Sequence, residues 1–185
     1  MSIAISSGHG LHVPGASGII NEVTEARLVV EHVAGFLRVV GVPVSVFHDN
    51  TSRNQRDNLN AIIAWHNNQT RNLDVSIHFN DYSDTSVNGT ETLHRTNNTQ
   101  MRDMASRIST RISQVSGIRL RGTNGAVARD NLAVLNGLSR AVIVEVCFVN
   151  NANDVNLYRN NFHRICAAIA EAISGRQIPP HLIPG

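Results

Sequence analysis

The chain has 185 residues, of which 42% are hydrophobic, 16% charged and 4% aromatic, and its formal net charge is +2. That is enough apolar matter for one buried core, too little charge to argue for a nucleic-acid partner, and no apolar run approaches the roughly 18 residues of a membrane span. All 16 basic residues are Arg, which excludes a Schiff-base, P-loop or kinase-type lysine, while two Cys are too few for a disulfide framework or a four-Cys zinc site.

Ile3 to Ser6 reads as a short strand, closed by Ser7-Gly8-His9-Gly10. The N-terminus has neither a basic region nor a long apolar stretch, so the chain is expected to be made in the cytoplasm and to act elsewhere only after release or export. A loop rich in Gly, Pro and Ser runs to Ile20. Asn21 stands as an N-cap, and Glu22 to Val40 has helical spacing with a stripe through Ala26, Val29, Val30, Val33, Phe36 and Leu37, stopped at Gly41.

Val42 to His48 reads as a second strand, Arg53 to Gln69 as a second helix, and Leu73 to Asn80 as a third strand by alternation and β-branching. Thr90 to Arg95 reads as an edge strand, Thr99 to Val115 as a helix, Gly117 to Asp130 as a loop and Leu132 to Leu135 as a short strand. Arg140 to Phe148 is a nearly continuous apolar run, as suits a strand buried on both faces. Asn153 to Ser174 reads as one last helix, and residues 176–185 as a Pro-rich tail or the start of a linker. The alternation predicts a single α/β domain over 1–175, with a mostly parallel twisted sheet of about six strands flanked by helices. Cys147 and Cys166 fall in apolar runs and read as buried small residues.

Ligands of an open α/β sheet gather beyond the carboxyl ends of its strands. His9 follows the first strand, His78 lies near the end of the third, and Glu145 interrupts the apolar run Val142 to Cys147. Burying an unpaired carboxylate is costly, so Glu145 is expected to be paired, near a metal, or a general base with a raised pKa. A catalytic zinc takes three protein ligands and keeps an open position. Two carboxylates at the start of the first long helix compete for the third place. At about 100° per residue, Glu22 lies roughly 20° from Val33 at the centre of the apolar stripe, and Glu25 roughly 80° away. Glu22 is preferred and Glu25 stays open. His12 could bind metal beside His9 but is preferred as a polar residue of a Gly-rich loop; His32, His48, His66, His94, His163 and His181 read as surface or helix-edge residues, and the Arg around 102–111 and 119–121 as a solvated face.

The opening Ile3-Ala4-Ile5-Ser6-Ser7-Gly8-His9-Gly10, then Pro14-Gly15-Ala16 and Asn21-Glu22, resembles that of the zinc-dependent N-acetylmuramoyl-L-alanine amidases of the amidase-3 type, found in bacterial autolysins and phage endolysins. Further resemblances follow in order: Arg56 with Asn60, Ser76-Ile77-His78-Phe79-Asn80, Gly89-Thr90-Glu91-Thr92, Leu132 to Leu135, and Val142 to Asn151. Departures are the missing Asp after His9-Gly10 and Cys147 where a Gly often follows the catalytic Glu.

The resemblance implies a peptidoglycan hydrolase that cuts between N-acetylmuramic acid and the L-alanine of the stem peptide. It implies Zn²⁺ on His9, Glu22 and His78, Glu145 as the catalytic base, and Asn80 and Glu91 as substrate-binding residues. It also implies peptidoglycan as partner; the N-terminus without a targeting pattern makes a phage endolysin the expected context, and the Pro-rich tail leads to the expectation of a C-terminal cell-wall-binding domain in a longer parent. Two other readings share the chemistry or the fold: a zinc peptidase acting within the stem peptide, and a non-catalytic wall-binding module.

Overall fold

Strand β1 (Ile3–Ser7) is buried along its whole length and leads through the His9 loop to helix α1 (Glu22–Val39), whose first turn is capped by the Asn21 side chain accepting from the Thr24 N–H. Strand β2 (Val44–Phe47), helix α2 (Gln55–Asn67) and strand β3 (Leu73–Asn80) follow. The computed structural model describes residues 1–184. In it β1, β2, β3 and β6 (Ala141–Phe148) run parallel, in a six-stranded sheet of order β2-β1-β3-β6-β4-β5. The expected α/β fold with a mostly parallel sheet is therefore present.

The sheet sorts its side chains by strand parity. One face carries Ile5, Val75, Ile77, Val142 and Val144 against α1, α3 (Thr99–Ser116) and α6 (Phe162–Ser174), forming the larger core. The other face carries Ile143 and Leu93 beneath α2 and α4 (Ala133–Gly137), with Ile62, Val134 and Leu135 filling a smaller core. Strand β6 lies at the centre and is covered on both sides, which accounts for its apolar run on either side of Glu145. Glu145 is on the second face, two residues beyond Ile143.

Four expectations are corrected. The segment read as an edge strand, β4 (Glu91–His94), lies inside the sheet, antiparallel to β6 and covered on its outer side by β5 (Ala126–Ala128). Strand β5 falls within the expected loop; its three residues are too few to show a period, and its pairing comes from β4. Leu132 to Leu135 is not a strand: the Asn136 N–H donates to Leu132 O and the Leu138 N–H to Val134 O, both at 3.1 Å, and α4 packs Val134 and Leu135 inward. A four-residue apolar run does not distinguish the two periods.

The last helix is broken into α5 (Ala152–Asn160) and α6 at Asn161, where φ is −126°. The Asn161 side chain donates to Leu157 O at 3.0 Å, drawing the backbone out of the helical path. Beyond Gly175, the Ile178 side chain is buried, its N–H donates to Glu171 Oε1 at 3.0 Å, and a 3-10 turn spans Pro180–Leu182. Cys147 and Cys166 are free and buried. No helix among the described residues is long and apolar enough to cross a membrane.

Candidate active site

The carboxyl ends of β1, β3 and β6 converge where α1 begins. The Gly8 N–H donates to Ile77 O at 2.9 Å, locking the end of β1 against β3. This contact demands glycine: a Cβ on Gly8 would stand 1.8 Å from His78 Nε2. Gly15 plays the same part for the His9 loop, since a Cβ there would meet Glu22 Oε2 at 2.4 Å and His9 Cδ2 at 2.8 Å. The two glycines let backbone close around three polar side chains.

Those side chains are His9, Glu22 and His78, whose potential ligand atoms all lie within 4.8 Å of one another. Glu22 is the first residue of α1 and almost completely buried. Its Oε1 lies 3.0 Å from His78 Nδ1 and accepts from the Phe79 N–H at 3.0 Å; its Oε2 accepts from the Ala16 N–H at 2.6 Å and lies 3.5 Å from His9 Nε2. Burial works to raise the Glu22 carboxyl, but the bond to His78, the charges of His78 and His9 and the Phe79 N–H outweigh it and hold the carboxyl below its usual value. Burial, with Glu22 opposing, holds the His9 imidazole below its usual value, which favours the neutral form that has a lone pair to give. Its Nδ1 is buried without a hydrogen-bond partner.

The donors fit a divalent cation that accepts imidazole nitrogen and carboxylate oxygen, such as zinc. Of the two acids the sequence left open, Glu22 is the one brought to the histidines. Glu25 instead accepts from the Tyr158 hydroxyl at 2.8 Å. His12 is exposed and outside the group.

Strand register places the remaining carboxylates beside this group. His78 is the Cα partner of Glu145, and Glu145 is the partner of Glu91, so the three form one row across β3, β6 and β4. Glu145 Oε2 is buried without a partner. Burial, aided by the charges of Glu22 and Glu91 and opposed by His78, pushes its carboxyl up to about 7. Glu91 is held on both oxygens, Oε1 accepting from Asn80 Nδ2 at 2.9 Å and Oε2 from Arg121 Nε at 2.7 Å. Arg121, read from sequence as part of a solvated face, is thereby tied to the site and also lies over the Phe148 ring, 5.0 Å from its centroid.

His9, His78, Asn80, Glu91 and Glu145 all line one cleft of about 460 Å³. Its far wall comes from α2, α4 and the segment Arg129 to Leu132 between β5 and α4. Arg56 and Asn60 are exposed and do not line it, whereas Gln55, Asn58 and Leu59 of the same helix do. Sequence reasoning also missed Asp154, fully buried at the start of α5, which accepts from the Gly89 N–H at 2.7 Å and the Phe148 N–H at 3.1 Å and so ties the β4 approach to the end of β6.

His66 is the clearest misreading. It is not at the surface but buried, with Nδ1 2.8 Å from Asp74 Oδ1 and Nε2 3.0 Å from Ser6 Oγ. His94 is buried as well, its Nδ1 2.9 Å from Arg95 O, and His48 bridges Ser7 Oγ at 3.0 Å and Glu31 Oε1 at 3.1 Å.

The family model described as N-acetylmuramoyl-L-alanine amidase matches residues 3–175. An uncharacterised protein of Clostridium perfringens is 32% identical over 189 residues, covering all of this chain and 55% of the relative, so the chain spans about half that relative's length. The catalytic domain of an endolysin targeting Clostridia difficile shares the fold with a TM-score of 0.86 at 24% identity, covering 97% of this chain and 99% of that one. The catalytic domain of an N-acetylmuramoyl-L-alanine amidase from Bacillus (Paenibacillus) polymyxa gives a TM-score of 0.74 at 23% identity, with 95% and 97% covered. A family match over nearly the whole chain, on a fold shared with such catalytic domains, agrees with the resemblance carried by the sequence motifs: the chain belongs to the N-acetylmuramoyl-L-alanine amidase family.

Proposed function

We propose that the chain hydrolyses the amide between the lactyl group of N-acetylmuramic acid and the L-alanine of the stem peptide, with Zn²⁺ held by His9, Glu22 and His78 and Glu145 as the catalytic base. One observation carries this reading: a buried, unpartnered carboxylate oxygen on Glu145 stands in register with His78, inside the cleft the metal-ligating group opens onto. Zinc, when bound, supplies Lewis acidity to the scissile carbonyl and acidifies the attacking water. Glu145 Oε2 takes the proton from that water as the new C–O bond forms, and passes it to the alanine nitrogen as the C–N bond breaks. A carboxyl pushed up to about 7 suits both halves of that transfer near neutral pH. Asn80 and Glu91, already bonded to one another at the cleft wall, are assigned to substrate binding.

We assign residues 1–175 to the catalytic unit, in line with the family match over residues 3–175. The shared fold with an endolysin catalytic domain supports a role in lysis, with peptidoglycan met after release from the cytoplasm.

Digestion of purified peptidoglycan, with mass spectrometry of the products, tests the proposal. It predicts stem peptides with a free N-terminal alanine, absent after chelation and restored by zinc. Cuts elsewhere in the stem peptide would establish the peptidase instead, and unaltered peptidoglycan with retained binding would establish a wall-binding module.

A further inference from the structure

The row of polar side chains across the sheet has a direction. His78 of the metal-ligating group is on β3, Glu145 on β6 and Glu91 on β4, each the Cα partner of the next. Glu145 therefore has the metal-ligating group on one flank and Glu91 on the other, and both carboxylates line the cleft. Glu91 is held firmly in this place. The Thr90 N–H donates to Arg119 O at 2.8 Å and the Arg121 N–H to Thr90 O at 3.1 Å, so the two segments run side by side. The Arg121 guanidinium then meets Glu91 Oε2 through Nε at 2.7 Å, while its Nη1 donates to Asn88 O at 3.2 Å. Asn80, which donates to Glu91 Oε1 at 2.9 Å, is itself oriented by the Asp81 N–H, a donor to Asn80 Oδ1 at 3.1 Å. A carboxylate offers about four acceptor positions. Arg121 and Asn80 occupy one on each oxygen of Glu91, which leaves about two for the cleft.

We propose that Glu91 is a second catalytic residue, accepting a hydrogen bond from the nitrogen of the departing alanine, and that Arg121 is a positioning residue that aims it. This rests on the amidase reading above. A group that can only accept recognises a donor, and the donor beside Glu145 is the nitrogen to which Glu145 passes its proton. That nitrogen carries one N–H in the amide. As the C–N bond breaks, the bonding pair stays on nitrogen and the Glu145 proton joins it. The leaving amine then has two N–H groups, one facing Glu145 and the other free to face Glu91. The spacing agrees. Directly opposed residues of antiparallel strands have Cα atoms about 4.5–5.5 Å apart, and a nitrogen about 2.8 Å from an oxygen on either side bridges roughly 5.6 Å. The nitrogen becomes more basic as it departs, so a fixed carboxylate beside it favours the breaking bond over the resting amide and acts on kcat.

The test compares a soluble muropeptide with its ester analogue, in which L-lactate replaces L-alanine and the scissile nitrogen becomes an oxygen with no hydrogen to offer. Both are cleaved by the zinc-loaded full chain and by its Glu91→Gln, Glu91→Asp, Arg121→Gln and Arg121→Lys variants at equal zinc content. Glu91→Gln is expected to lose about 10- to 100-fold in kcat on the amide, the worth of a hydrogen bond to a charged group, and about tenfold less than that on the ester. Glu91→Asp keeps the charge and withdraws it by one methylene; it should show the same amide-selective loss, and it carries the test if Glu91→Gln does not fold. Arg121→Gln should lower kcat on the amide in the same selective way, and Arg121→Lys should recover part of it as a point charge. Equal losses on amide and ester, or a loss confined to KM, would overturn the role of Glu91. Wild-type kcat on the amide in Arg121→Gln would overturn that of Arg121. In either case the amidase reading stands, whereas failure of wild type to release free-alanine peptide from the amide would overturn both.

Discussion

Two histidine–carboxylate pairs meet strand β3, one near its start at Asp74 and one near its end at His78, and they are built for opposite purposes. His66 and Asp74 form a closed pair: both ring nitrogens of His66 are partnered, and Arg71 Nε adds a bond to Asp74 Oδ1 at 2.9 Å. His78 and Glu22 form an open pair, with His9 alongside, an unpartnered Nδ1 on His9, an unpartnered Oε2 on Glu145, and a cleft in front. Similar side chains thus serve stability where every polar atom is satisfied and chemistry where some are kept available. The difference originates in the backbone. Gly8 and Gly15 bring main chain to the edge of the open group without filling it, whereas Ser6 supplies the hydroxyl that completes the closed one.

Substitutions should separate the two pairs. Glu145→Gln is expected to lower turnover by about 10³-fold or more, the scale of a lost general base, while zinc content and fold survive; turnover of peptidoglycan fragments against metal stoichiometry checks this. His66→Ala should act in the opposite manner. Leaving Asp74 buried with one partner fewer is expected to cost about 3 kcal/mol of stability, read by denaturant unfolding, with zinc binding by the folded fraction unchanged.

A third effect is electrostatic and belongs to the metal-free protein. The folded-state carboxyl of Glu145 is pushed up to about 7 from 4.5, so the folded form binds its proton more tightly than the unfolded form. Stability from this group is therefore fully present below about pH 4.5 and is lost as pH rises toward 7, by at most about 3 kcal/mol. The unfolding free energy of Glu145→Gln relative to wild type should rise across that window and level off above it. A constant difference from pH 4 to 8 would show that Glu145 ionises normally. The smallest effect is expected of Glu25→Gln: zinc content and turnover should match wild type, with about 1 kcal/mol lost from the bond to Tyr158.

Much of this architecture is legible in the sequence because its long elements have clear periods. The alternation of Leu73 to Asn80 and the apolar run of Val142 to Cys147, interrupted only by Glu145, identify the two central parallel strands, and the stripe through Val33 orients α1 well enough to turn Glu22 inward. What escapes is short or depends on distant partners. Leu132 to Leu135 and Ala126 to Ala128 are too brief to reveal a period, and the position of β4 inside the sheet follows only from β5 joining it. His66 reads as a surface residue because its partners come from β1 and β3, 60 and 8 residues away in the chain. The candidate site is legible at His9, His78 and Glu145 because strand ends are where such sheets gather ligands. The ties from Arg121 to Glu91 and from Asp154 to Gly89 and Phe148 are not, since no local pattern marks them.

The contrast between the open and closed pairs is tested most directly by zinc stoichiometry at equilibrium, measured on folded wild type and four single variants. One equivalent is predicted for wild type, Glu145→Gln and His66→Ala, and far less for His9→Ala and Glu22→Gln. Full binding by His9→Ala and Glu22→Gln, or its loss in Glu145→Gln with the fold intact, would contradict the assignment of ligands and base.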